Sequence, residues 1–209
     1  SCWLKFYYPD VFAAALLNSQ PMGFYQPAQI VIDARRHGVE VRSVDVNHSL
    51  WDNTLEEQVG NCRAIRLGFR QVKGLQQEQA EALIAARRKA YTHILDLANA
   101  GVSLGTLERL AEADAFRSMG LDRRQALWEV SALHDRPVGM FTGQPSESLR
   151  EKGIILPGLS PMEHVLQDYA TVSLSLKAHP VSFVRDSLEQ LRVTTTAGLG
   201  SLKNGAAVK

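Results

Sequence analysis

The residues best suited to chemistry lie in the middle of the chain. Phe69-Arg70-Gln71-Val72-Lys73-Gly74-Leu75, followed by the stretch from Gln76, reads as a short helix, a glycine turn with an apolar residue after the glycine, and an amphipathic helix. Glycine permits the tight turn and lets an anion approach the backbone. Amides of the turn and of the following helix start point outward as donors and favour a phosphate. Leu75 plugs the space between the two helices. A helix-hairpin-helix of this kind grips phosphates without reading bases. A second copy follows, with Ile94–Ala100, then Gly101-Val102-Ser103, then Leu104–Ala113, and Ser103 is placed to cap its second helix. Gly74 and Gly101 are 27 positions apart. A plain helical bundle with two glycine turns is the competing reading, and the tandem copy favours nucleic-acid binding over it.

Charge follows the same segment. Residues 61–124 hold Arg63, Arg66, Arg70, Lys73, Arg87, Arg88, Lys89, Arg109, Arg117, Arg123 and Arg124, eleven cations against seven Asp and Glu. Residues 1–60 have four against seven, and residues 125–209 have eight of each. The overall net charge of +1 is therefore a cancellation. A local basic field attracts polyanions, although an ordinary solvated helix surface carries such charges too. The candidate phosphate contacts are Arg70, Lys73, Gly74, Leu75 and Gln76 at the first turn. Arg87 and Arg88 follow at the end of its second helix, and Gly101, Val102, Ser103 and Arg109 are placed near the second turn.

The elements that must position these residues can be read from pattern. Residues 11–17 are apolar helix formers, broken by Pro21-Met22-Gly23. A helix starts at Pro27, turns Ala28, Ile30, Val31 and Ala34 inward, and stops at Gly38. Val39, Val41, Val44 and Val46 predict one or two short strands, Asn47–Gly60 a polar loop, and Ala64–Leu67 another strand. Residues 76–90 form the clearest helix, with Ala80, Leu83, Ile84 and the aliphatic part of Arg87 on one face. Residues 93–99 and 104–113 read as two shorter helices. Asp122 with Gln125 opens a helix to about Leu133, and residues 134–158 are a long connection. Ser160-Pro161-Met162-Glu163 opens another, with Met162, Val165, Leu166, Tyr169 and Val172 as its apolar stripe. A last helix starts at Ser182 with Phe183, Val184, Leu188 and Leu191 inward, and the tail from Gly198 is loop. The predicted fold class is α+β and mostly helical. A tandem helix-hairpin-helix domain with a few short strands is flanked by helical segments.

Several function classes are excluded. At 209 residues, 45% hydrophobic and 22% charged, the chain can bury a real core, so disordered and fibrous readings fall away. Its longest strictly apolar run, Val11–Leu17, is far short of the ~20 residues a membrane span needs, and no signal-peptide pattern opens it. Cys2 and Cys62 build no disulfide framework, so a cytoplasmic, reducing setting is the expectation. The six histidines show no paired ligand spacing with cysteine, and Gly198-x-Gly200 lacks the strand and helix of a nucleotide loop.

Longer blocks carry a family resemblance. SCWLKFYYPDVFAAALLNS (Ser1–Ser19), the stretch PMGFYQPAQIVIDARRHGVEVRSVDVNHS within Gln20–Ser49, AIRLGFRQVKG (Ala64–Gly74), LERLAEADAFRSMGLDRRQAL (Leu107–Leu127) and GLSPMEHVLQDYATVSLSLKAHP (Gly158–Pro180) cover almost the whole chain. They resemble the bacterial C-family DNA polymerases, the alpha subunits of polymerase III, and in particular the error-prone, damage-inducible second alpha subunit. The resemblance implies that residues 1–22 end a fingers domain and residues 23–120 are a tandem helix-hairpin-helix domain. Residues 121–209 would be a helical connection to an OB-fold that is not included. With no initiator Met, the chain reads as a span of a longer protein. The parent would perform DNA-templated synthesis in damage-induced mutagenesis and translesion repair, using palm carboxylates and Mg2+. No Asp-x-Asp pair occurs here, so the chain alone is expected to be catalytically silent and to need no cofactor. The resemblance implies Gly-apolar-Gly at the first hairpin, as replicative relatives usually have, but Gln76 takes the third position, where a side chain would hinder phosphate. The second hairpin also lacks a second glycine, and Ser103 would offer a hydroxyl and an amide instead.

Two other readings start from the residues. In hairpin-containing DNA glycosylases a catalytic Asp follows the hairpin glycine, and Asp96 lies 22 positions after Gly74; a solvated helical Asp is the favoured reading. Pro137-Val138-Gly139-Met140-Phe141 stands where alpha subunits carry a sliding-clamp peptide, with Val138, Met140 and Phe141 as its apolar contacts. The alternative function is thus a protein-interaction module docking a sliding clamp or a Y-family-like accessory protein. A loop tucking Met140 and Phe141 onto the core competes with it.

Overall fold

The structure, a computed structural model, describes residues 2–134, 156–203 and 205. It opens with two helices, α1 (Cys2–Tyr7) and α2 (Pro9–Asn18). Pro9 suits the first helical position, and α2 turns Ala13, Ala14 and Leu17 into the core. Buried Asp10 takes the amide of Arg63 on one carboxylate oxygen, at 2.7 Å, and so ties α2 to the sheet. Helix α3 (Pro27–Arg36) buries Ile30, Val31 and Ala34 and ends before Gly38, whose φ of +82° suits a residue without a Cβ.

Three strands form one small sheet in the order β1-β3-β2. β1 (Val41–Arg42) runs parallel to β3 (Cys62–Arg66), with Val41 opposite Ile65, and β2 (Thr54–Val59) runs antiparallel to it. The polar loop expected over 47–60 is therefore corrected in its second half. Thr54–Val59 has little β propensity, but it gains a ladder with β3, and Arg42 and Arg66 converge on Glu56 at 2.7 and 2.8 Å. Burial raises the Glu56 pKa, and the two guanidiniums outweigh it and hold the carboxyl below the usual range. Val39, Val44 and Val46 are buried as the pattern implies but stand outside the ladder.

After the sheet come a 3₁₀ turn (Phe69–Gln71), α4 (Gln77–Ala86), α5 (Ile94–Asn99), α6 (Leu104–Glu112) and α7 (Arg123–His134). The helix expected to reach residue 90 stops at Ala86, because the Arg87 guanidinium is drawn to the carbonyls of Val46 and Ser49. One hydrophobic core joins α2, α3, the sheet and α4–α7 through Leu17, Ile65, Phe69, Leu83, Leu97 and Leu107. Helix α8 (Pro161–Val172) carries the anticipated capping box of Ser160 and Glu163. Its inner face is Val165, Asp168 and Val172, whereas Met162 and Leu166 are exposed, so the apolar stripe is corrected. The reason is the buried Arg123, which bonds Asp168 and the His164 carbonyl and turns that face inward. The last helix, α9 (Arg185–Gln190), starts later than expected, after a 3₁₀ turn over Pro180–Val184. Phe183, Val184 and Leu191, expected inward, are exposed. The tail forms a further 3₁₀ turn over Thr196–Ser201. The fold is α+β and mostly helical. Among the described residues no helix is long and apolar enough to cross a membrane.

Candidate nucleic-acid interface

The two hairpins share an inner build. Gly74 has φ +74° and Gly101 has φ +88°, a left-handed conformation that favours glycine. The next residue plugs the hairpin in each case: Leu75 is buried, and Val102 packs against the core. Its amide turns back, from Leu75 to the Val72 carbonyl at 3.3 Å and from Val102 to the Leu97 carbonyl at 3.1 Å. Two positions after each glycine comes the helix N-cap. Gln76 caps α4 in a capping box with Gln79, and the Ser103 hydroxyl takes the amide of Thr106 at 3.3 Å in α6. Gln76 and Ser103 thus serve as caps.

The surroundings of the turns differ. The first hairpin opens with only a 3₁₀ turn where a short helix was expected. Arg70 does not face outward: its guanidinium donates to the carbonyls of Asn18 (2.7 Å) and Gln20 (2.9 Å) and pairs with Asp52 (2.6 Å). Lys73 closes the end of α8, its amide on the Thr171 carbonyl and its ammonium on those of Tyr169 and Ala170, each at 2.9 Å. Arg87 bridges the Val46 and Ser49 carbonyls, and burial lowers its pKa. These three candidate cations are engaged by the protein's own carbonyls and, for Arg70, a carboxylate. Gly74 itself is exposed, and a Cβ there would stand 3.2 Å from Arg109 Nε. Arg109, expected near the second turn, instead reaches from α6 to the first.

The second turn is open. Gly101 and Ser103 are exposed, and a Cβ added at Gly101 or Gly105 meets nothing within 4 Å. The Leu104 and Gly105 amides, at the start of α6, have no carbonyl within the helix to receive them. Of the eleven cations in 61–124, Arg63, Arg66, Arg117 and Arg124 are also bonded internally, and Arg123 is buried on Asp168. The side chains of Arg88, Lys89 and Arg109 make no hydrogen bond or ion pair among the described residues.

Asp96 is a capping residue. Its carboxylate accepts from the His93 amide (3.0 Å) and from the Thr92 amide and hydroxyl (both 3.2 Å). Burial works against its charge, and these donors outweigh it and hold the carboxyl below the usual aspartate range. Val138, Met140 and Phe141 lie outside the described residues. Among the described residues no group of three or more His, Cys, Asp or Glu side chains is arranged to hold a metal.

Sequence reasoning missed a buried ionic cluster. Asp168 takes Arg123, Lys177 and the Ser175 hydroxyl, and Lys177 also pairs with Asp114 at 3.1 Å. Asp114 and Lys177 are 63 positions apart, and neither carries a local signal of its partner.

The glycine turns, their plugs and their caps define a helix-hairpin-helix segment, and residues 38–126 match the family described as "Helix-hairpin-helix motif". Along its whole length the chain is similar to a larger kind of protein. It is 48% identical to the error-prone DNA polymerase of Mesorhizobium japonicum, over 100% of this chain and 21% of that protein. It is 47% identical to error-prone DNA polymerase 1 of Rhizobium meliloti, over 98% and 20%, and 45% identical to the error-prone DNA polymerase of Caulobacter vibrioides, over 100% and 21%. The chain spans about a fifth of the length of these curated relatives, and its resemblance to error-prone DNA polymerases holds from one end to the other.

Proposed function

We propose that this chain is the part of an error-prone DNA polymerase that holds duplex DNA by its backbone. The observation that carries this reading is the open second turn. A glycine with free space in front of it is followed by two amides without internal acceptors and a hydroxyl cap. An anion seated there completes the helix start and meets the positive end of its dipole. Such contacts position a duplex without reading its sequence. Residues 1–22 then close a fingers domain, 23–120 form the hairpin domain and 121–209 lead toward an OB-fold. Templated synthesis across damage, with Mg2+ on palm carboxylates, is the work of other parts of the longer cytoplasmic protein, and this chain contributes grip alone.

The test is binding of the 209-residue chain to labelled duplexes of unrelated sequence across a salt series. Affinity should be equal for the sequences and fall with salt. With three uncommitted cations on phosphate, the slope of log K against log salt should be about −2.7, at ~0.9 per neutralised phosphate. Absence of binding at low salt, or binding indifferent to salt, overturns the proposal.

A further inference from the structure

Beside the second turn, a cleft of about 240 Å³ opens between the segment after α4 and the end of α5. Arg88, Lys89, Asp96, Asn99 and Ala100 are among the residues that line it, and Ala100 adjoins Gly101. We propose that this cleft is a second phosphate site, continuous with the turn, in which Arg88, Lys89 and the Asn99 carboxamide hold the next phosphodiester of the same strand. The inference rests on the duplex-binding reading and adds a site to it.

Three observations lead there. First, the cleft takes two of the three cations of the basic segment that the fold leaves unpaired, on consecutive residues. Folding consumed eight of the eleven in ion pairs and carbonyl contacts but left these two exposed side by side, a repulsive arrangement that an anion relieves. Second, the carboxylate in the cleft is already engaged. Asp96 is held by three donors from Thr92 and His93, so it does not neutralise Arg88 or Lys89 by contact. Third, Asn99 is exposed at the end of α5, lines the cleft and can donate its amide to an oxyanion. The arrangement is crossed: Arg88 and Lys89 follow the first hairpin's second helix yet flank the second turn, and Arg109 of the second hairpin flanks the first. Each turn draws its cations from the other hairpin, so the grip needs both hairpins packed together.

The experiment compares the full chain with R88A/K89A and with a charge-matched control, R185A/R192A, which removes two cations at α9. The Arg88 and Lys89 side chains are exposed and unbonded, so R88A/K89A should keep the wild-type melting midpoint. Its salt slope should be shallower by about 1.8, from two charges at ~0.9 each, with duplex affinity reduced at least tenfold at low salt, while the control keeps the wild-type slope. In parallel, the Asn99 side-chain amide resonance is followed on adding duplex or inorganic phosphate. It should shift with duplex and stay near its free position with millimolar phosphate. If R88A/K89A has the slope of the control while duplex still binds, the cleft assignment fails and the duplex reading stands. If the unaltered chain shows no salt-dependent duplex binding, both fail. If inorganic phosphate saturates the Asn99 shift and duplex leaves it unmoved, the cleft is a free-anion site and the assignment to a nucleic acid strand is overturned.

Discussion

The two hairpins are built to one plan and set in opposite surroundings. Each has a left-handed glycine, an apolar plug and a helix N-cap at the same spacing. Around the first, Arg70 clasps the chain near Asn18 and Gln20, and Lys73 closes the end of α8. Around the second, the glycine faces open space. Identical local chemistry thus serves two ends. At the first turn the donors hold the protein to itself, and at the second the helix start is left open. A motif match locates a turn that can bind phosphate, and the neighbouring elements settle whether its donors are still available.

The largest effect should come from breaking what holds α8 against α7, the neighbour that keeps α8 in reach of the first hairpin's Lys73. Asp168→Ala leaves Arg123, only 2% exposed, as an uncompensated buried charge, which costs about 3–5 kcal/mol. Urea unfolding should show that loss, and a change under 1 kcal/mol would mean that the buried cluster is not what anchors α8.

A tenfold effect on binding should separate the turns themselves. Ser103→Asp keeps a good N-cap, and so the fold, while placing a negative charge where the phosphate sits. Duplex affinity should fall about tenfold, or ~1.4 kcal/mol, with stability within about 0.5 kcal/mol of wild type. Gln76→Asp at the first turn should weaken binding less than threefold. The reverse order would overturn the contrast between the turns.

The smallest effect is a pH dependence confined to the second hairpin. Its first helix is capped by the Asp96 carboxylate, whereas the first hairpin uses the neutral Gln79. The folded Asp96 pKa lies below the ordinary 3.8. Its stabilisation is therefore complete above that value and lost as pH falls through the lower folded one. Hydrogen exchange at the start of α5 should quicken over that window while exchange at α4 does not. Asp96→Asn should flatten the response and cost roughly 1 kcal/mol near neutral pH. Equal acceleration in both hairpins would remove the distinction.

Much of this was legible in residue order. Pro27 and Gly38 bounded α3, Ser160 with Glu163 opened α8, and Gly-Leu and Gly-Val marked the two turns, because caps and turns are decided by neighbours a few residues apart. Strand β2 was not legible: Thr54–Val59 is polar, and its conformation comes from β3 and from Arg42 and Arg66. The helix ending at Ala86 was missed for the same reason, since the acceptors of Arg87 are about forty residues away, at Val46 and Ser49.

The sequence by itself determined that two glycine turns between helices exist, where they lie, and that cations lie near them in the chain. Only the tertiary structure decided which cations remain free. A guanidinium or ammonium is offered to a ligand only if no carbonyl or carboxylate folds onto it first. Those acceptors come from Asn18, Tyr169 and Asp168, at sequence distances that no local pattern encodes. Eleven positive charges thereby reduce to Arg88, Lys89 and Arg109, gathered at the two glycine turns.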